Sequence, residues 1–289
     1  MLTETLKKEH ILSNTLVIAF TELLFMLGGL KLMRMIVRAA SSAIDSGSDT
    51  YSEFMINMIF LASFIIPILF CVLYMRITKP ESLQVFRRGS FQKRFLSLLI
   101  GLAAGFCVNG LISVMAGLTG SVKITFQTFT PFLLLILPFS FIQCTCEEVL
   151  LRGYVPQYME GRHDWSSVAF VSGVLFIFHH YRNIELFGYS SVFCINVFLV
   201  GVMLVLLVRD NGNFWIACGF HTGWNYTQEY LFGLPNSGQS STFALFSGTE
   251  SKDTFFYNSV YGNEGSWFTT VVVSLLILLL LYRGKATER

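Results

Sequence analysis

The chain has 289 residues, 53% of them hydrophobic and 13% charged, with a mean hydropathy of +0.60. A soluble domain carries about twice that charge fraction, so a soluble globular fold is excluded and an all-α polytopic membrane bundle is expected. A net charge of +2, with no basic cluster interleaved with aromatic residues, excludes nucleic acid as a partner.

The opening MLTETLKKEH has the charge of a secretory signal's first region, but the apolar stretch after it runs over residues 11–32. Signal cores are about 7–15 residues long, so this stretch reads as a first spanning helix at 11–37. Seven more follow at 54–75, 95–118, 130–154, 166–186, 189–208, 213–233 and 267–282. The connector RITKPESLQVFRRGSFQKR sets Arg76, Lys79, Arg87, Arg88, Lys93 and Arg94 against the single acid Glu81. The positive-inside rule assigns it to the cytoplasm, and alternation then puts both termini inside with Lys7, Lys8, Arg283, Lys285 and Arg289. The acidic loop SSAIDSGSDTYSE falls outside, although Arg34 and Arg38 end the first helix on that side. Residues 233–267, rich in Gly, Ser and Thr, also fall outside and are expected to be irregular. No soluble domain or internal repeat is visible, so residues 1–289 read as a single integral-membrane domain. Cys71, Cys107, Cys144, Cys146, Cys194 and Cys218 are scattered through apolar segments, as buried thiols are. Cys144 and Cys146 lack the spacing of a zinc knuckle.

Charged side chains within spans are rare and usually face a bundle interior or a cavity. The fourth span carries Gln143, Glu147, Glu148 and Arg152; the fifth ends in SGVLFIFHHYR with His179 and His180; the sixth holds Asn196. The seventh, FWIACGFHTGWNYTQEY, holds His221, Asn225 and Glu229. Adjacent helical residues point about 100° apart, so Glu147 and Glu148 cannot serve one site. Glu148 precedes Arg152 by four residues, the favourable order for an ion pair on one face. That leaves Glu147 free, and a carboxylate in a low-dielectric cleft suits a general base. The bland alternative is that both acids pair with arginines for packing. His221 and Asn225, also four apart, share a helical face. They are suited to ligating a metal, to donating to a developing oxyanion, or to clamping two helices. Glu229, near the outer end of its helix, reads as a satisfied or solvated acid, and Glu22 has no evident partner.

Taken together, EEVLLR, FIFHH and HTGWN resemble the EExxxR, FxxxH and HxxxN motifs of the CPBP family of intramembrane proteases, also called the Abi family and related to type II CAAX prenyl proteases. LFGLPNSG after the seventh helix adds to the likeness, which covers residues 95–282 as a protease core. The resemblance implies that Glu147 and His180 activate water and that His221 and Asn225 stabilise the oxyanion. It gives Phe176 a supporting place in the second motif and has Glu148 and Arg152 hold the fourth helix, while His179 lies outside the motifs. The family is commonly described as metalloproteases, yet no HExxH is present. Glu147, His180 and His221 are the three possible ligands of a divalent metal such as zinc; glutamate-activated water without obligatory zinc is the preferred reading.

One tension concerns depth. From the cytoplasmic ends assigned above, Glu147 lies about 10 Å deep and His180 about 20 Å. They meet only if the fourth helix is displaced, for which Pro138 offers a kink, or if the fifth begins later than Ser166, with PQYMEGRHDWSS lying along the interface. The expected protein is a multi-pass endopeptidase acting on a membrane peptide or protein, its cavity opening toward the cytoplasm because Glu147 lies nearer that face. A prenyl-protein endopeptidase, a non-catalytic binding or immunity protein of the same fold, and a proton-coupled transporter are the alternatives. The absence of inverted repeats speaks against the last. Short loops point to a bacterial plasma membrane, and the oligomeric state is left open.

Overall fold

The computed structural model describes residues 14–44, 50–161 and 163–287. It is overwhelmingly helical, and a helix stands in each of the eight expected segments. α1 (Thr15–Ala43) starts at Asn14, whose side chain accepts from the Leu16 N–H at 3.0 Å. α2 (Thr50–Ser63) and α3 (Ile65–Thr78) make one apolar rod interrupted at Phe64. The interruption sits where Pro67, which has no N–H, cannot bond four residues back. A 3₁₀ turn (Pro80–Arg87) leads to α4 (Phe91–Leu118), capped by Ser90, and then to strand β1 (Lys123–Phe126). α5 (Phe132–Glu148), a π-helical turn (Val149–Tyr154) and α6 (Val155–Met159) run on as one rod from Phe132 to Met159. α7 (Trp165–His179) is capped by Asp164 and followed by the short α8 (Tyr181–Phe187). α9 (Ser191–Asn211) ends at left-handed Gly212; α10 (Trp215–Tyr226) passes into a second π-helical turn (Thr227–Leu231). Strand β2 (Phe246–Thr249), a 3₁₀ turn (Asn263–Gly265) and α11 (Trp267–Thr287) are the last of the described elements.

Six of these rods, Thr15–Ser42, Tyr51–Thr78, Phe91–Leu118, Phe132–Met159, Ser191–Asn211 and Trp267–Gly284, are long and apolar enough to cross a membrane. α7 is apolar but shorter. Large apolar side chains such as Leu16, Phe20, Leu73, Phe91, Leu134 and Leu278 point outward. In water that surface would be a liability; in a bilayer, lipid tails match it. The protein is an integral membrane protein.

The most extensive helix packing joins α4 and α10. Gly101 and Gly105 on α4 face Gly219 and Gly223 on α10, two reciprocal GxxxG stripes. A Cβ at Gly101 would stand 2.1 Å from the Ile216 carbonyl oxygen, and one at Gly219 would stand 2.1 Å from that of Leu98. Only hydrogen fits there. His221 and Asn225 lie two residues further along α10, about 200° around the helix, so the face opposite the glycine stripe is the one turned to the site.

The structure departs from two expectations. The segment 233–267 is not wholly irregular: β2 pairs antiparallel with β1, Lys123 opposite Thr249 and Phe126 opposite Phe246. Beside it Lys123 Nζ meets Glu250 Oε1 at 2.8 Å, a hydrogen bond that holds the exposed carboxyl below its usual range. Buried amides tie the rest of the segment down: Asn263 Nδ2 donates to Asn109 Oδ1 at 3.0 Å and to Ser113 Oγ at 2.8 Å, and Asn109 Nδ2 donates to Gln228 at 2.8 Å. Asn196 clamps the start of α11, donating to the carbonyls of Glu264 and Ser266 and accepting from Thr270. The second correction concerns the thiols. All six are free, but Cys107 is exposed and Cys194 half-buried, because each sits on an outward helical face.

Candidate active site

A cavity of about 820 Å³ lies among α1, α2, α5, α7, α9, α10 and the loop after α10. Glu147, His180, His221 and Asn225 all line it, together with Gln143, Phe176 and His179. Glu147 is 7% exposed, and its Oε1 accepts from Gln143 Nε2 at 3.4 Å, while Oε2 has no partner among the described residues. The imidazoles of His221, His180 and His179 and the Arg152 guanidinium all bear electrostatically on that carboxylate.

The neighbouring acid has a different environment. Glu148 is fully buried, and its Oε1 accepts from Arg152 Nη1 at 3.0 Å and from His221 Nδ1 at 2.8 Å. Arg152 also donates to the Gly201 carbonyl at 3.1 Å and lies 4.7 Å over the Phe176 ring. Phe176 stands edge-on to His180 at 4.9 Å and to His221 at 5.7 Å. One aromatic side chain thus touches a cation and both imidazoles.

These contacts set the tautomers. His180 Nδ1 lies 2.8 Å from the Phe176 carbonyl oxygen. A carbonyl only accepts, so Nδ1 carries the proton and Nε2 the lone pair. His221 gives its Nδ1 proton to Glu148; in the neutral ring Nε2 accepts from Asn225 Nδ2 at 3.3 Å. Asn225 also donates to the buried Cys144 thiol at 3.5 Å.

The depth tension resolves at an end the sequence did not mark. The fourth rod runs five residues past 154, to Met159, so Val155–Met159 of the proposed interfacial segment is helix. Glu147 is then twelve residues from that end and His180 fifteen residues beyond Trp165, about 18 Å and 22 Å at ~1.5 Å per residue. The fifth helix does not begin late, at Trp165, but it stops early: α7 ends at His179 and the chain turns at His180, well before 186.

Two residues that sequence reasoning set aside belong together. Glu22, fully buried on α1, lies 2.5 Å from His179 Nε2. A lone acid in an apolar helix was itself the signal that a partner existed. α1 and α2 also wall the cavity, so the first two spans are part of the site. Its lining includes Arg34, Arg38, Glu53 and residues 236–237 and 239–243, so it opens on the face of the 233–266 loop. With the basic connector at 76–94 assigned to the cytoplasm by its charge, that mouth lies on the side opposite the expected cytoplasmic opening. Glu229 lines the same wall and accepts from Asn236 Nδ2 at 3.4 Å.

Among the described residues no three His, Cys, Asp or Glu side chains gather closely enough to hold a metal ion. Glu147, His180 and His221 share a cavity without forming such a group.

A membrane-embedded bundle that turns an acid, two imidazoles and an amide toward one buried cavity has the build of an intramembrane hydrolase. Residues 129–227 match the family model described as Type II CAAX prenyl endopeptidase Rce1-like. All three motifs fall inside that segment, so the resemblance drawn from them is upheld, and at family level the likeness is to CAAX-type intramembrane endopeptidases. No curated protein and no solved structure matches the chain.

Proposed function

We propose that this chain is an endopeptidase of the bacterial plasma membrane that hydrolyses a peptide bond of a membrane peptide or protein. Glu147 removes a proton from water, assisted by the His180 Nε2 lone pair, and the water oxygen bonds to the scissile carbonyl carbon. The carbonyl π electrons move onto oxygen, and the resulting oxyanion accepts from the Asn225 amide and from His221 when that ring is protonated at Nε2. The C–N bond then breaks, and the amine leaves with the proton Glu147 took. Glu148 and Arg152 position His221. The observation that supports this reading is the convergence of Glu147 from α5, His180 from the turn after α7, and His221 and Asn225 from α10 on a single cavity.

Purified protein in lipid, given a panel of membrane peptides, tests it. Wild type is expected to cut, with Glu147→Gln and His221→Ala slower by about 10²–10⁴-fold, the usual weight of acid–base groups. A parallel arm with a zinc chelator reads metal dependence. Equal cutting by wild type and Glu147→Gln would remove Glu147 from the chemistry, and a folded wild type that retains peptides uncut would favour a binding protein of the same fold.

A further inference from the structure

Between its buried end and its mouth the cavity changes character along one helix. On α1, Met26, Leu30, Met33, Arg34, Val37 and Arg38 line it in turn, and their spacing of three and four residues makes them one continuous stripe. Glu22, through its bond to His179, marks where α1 stands level with the acid and imidazoles. Above that level the stripe is apolar for about two turns, from Met26 to Met33, and then carries two arginines flanking Val37.

Arg34 and Arg38 are exposed at the mouth, and neither has an ion pair or hydrogen bond among the described residues. Their neighbours at the rim are engaged elsewhere: Arg182 is paired with Glu185, and Glu53 accepts from Thr242. Two cations without a partner among the described residues, lining a cavity that runs to the site on the face where the positive-inside rule disfavours them, match a negative charge arriving with the substrate.

The helix supplies a ruler. Arg34 is twelve residues and Arg38 sixteen residues from Glu22, about 18 Å and 24 Å along the axis. A peptide must be extended to offer a carbonyl to attack, and at ~3.3 Å per residue those distances span about five and seven residues. We infer that Arg34 and Arg38 form a specificity subsite for a carboxylate carried by the substrate five to seven residues from the cleaved bond, with apolar residues between lying along Met26, Leu30 and Met33. This rests on the endopeptidase reading, and it deepens that reading by naming the substrate class: an apolar segment flanked by an acidic residue on the side of the 233–266 loop.

The test separates recognition from chemistry. Binding is measured on the full chain carrying Glu147→Gln, in phosphatidylcholine nanodiscs. The probe is a labelled apolar peptide with both termini blocked and one flanking Glu, Gln or Lys. The Glu peptide is expected to bind about fivefold to tenfold tighter than the Gln peptide, the scale of two partly exposed ion pairs. That advantage should vanish with Arg34→Gln plus Arg38→Gln, and pass to the Lys peptide with Arg34→Glu plus Arg38→Glu. The swap also shows that the variants fold. In a second arm wild type cuts peptides in which the glutamate is walked along the chain, and cleavage should follow it at five to seven residues. If wild type cuts nothing, the endopeptidase reading fails while the binding arm still decides the subsite. Equal binding of Glu and Gln peptides overturns the inference, as does a preference that survives loss of both arginines. Loss of the preference when phosphatidylglycerol is added also overturns it, by assigning the arginines to lipid headgroups.

Discussion

Glu147 and Glu148 are chain neighbours, yet one faces a cavity and the other is locked between a guanidinium and an imidazole. Their substitutions should therefore differ in kind. Glu148→Ala leaves Arg152 and His221 buried without their shared acceptor, and removing one partner of a buried pair costs about 3–5 kcal/mol. The expected result is a fall in Tm of about 10 °C in detergent, with activity lost along with the fold. Glu147→Gln keeps the size of the side chain and its contact with Gln143, so Tm should move by less than about 2 °C, within the range of substitutions that break no buried pair. Equal shifts would mean that the two carboxyls share one role. The difference was readable beforehand because a 100° step separates neighbours on a helix. The bond between Glu22 and His179 was not. It joins residues 157 positions apart, and no local periodicity carries information across that distance.

At the level of elements, six of the eight expected spans are long and apolar enough to cross a membrane, and the helices were legible because apolar runs in lipid must be helical. Their breaks were less so. α7 stops at His180 without a glycine or proline to end it, and the π-helical turns after Glu148 and Tyr226 leave no mark in composition. Strand β2 stayed hidden because its partner, β1, lies more than a hundred residues upstream. The glycine stripes of α4 and α10 were present as spacing, at 101 and 105 and at 219 and 223, but which of the glycines meet becomes plain only in the packed pair. They allow a prediction with its own control. Gly101→Ala drives a methyl into the Ile216 carbonyl at 2.1 Å, and overpacking of that kind costs about 3 kcal/mol. Gly110→Ala, on the same helix with only a Thr227 methyl at 3.9 Å, should stay within about 0.5 kcal/mol of wild type. Thermal unfolding in detergent compares the two, and similar losses would show that the close approach of α4 and α10 does not carry the stability assigned to it.

For the whole molecule, the question is which side of the membrane the cavity serves. The connector at 76–94 carries six basic residues against Glu81, and the charge rule places it in the cytoplasm. The cavity is lined at its rim by Arg34 and Arg38, near the C-terminal end of α1, and by residues 239–243 of the loop after α10. The rod Tyr51–Thr78 separates α1 from the connector, which puts that rim on the opposite side. A substrate reaching Glu147 through this rim would come from the outer face, or from the outer leaflet, and products would leave the same way. A charged thiol reagent that cannot cross the membrane reports the arrangement directly. In a Cys107→Ser background, which removes the one exposed native thiol, Ser240→Cys should label from outside intact cells and Arg88→Cys only after the membrane is opened. Reversed labelling would turn the molecule over, moving the cavity mouth and the arginine subsite to the cytoplasmic face. The charge rule would then have failed at the connector while holding for Arg34 and Arg38. Labelling as expected would make the two arginines exceptions to the rule, retained on the unfavoured side of the membrane because the cavity they border requires positive charge there.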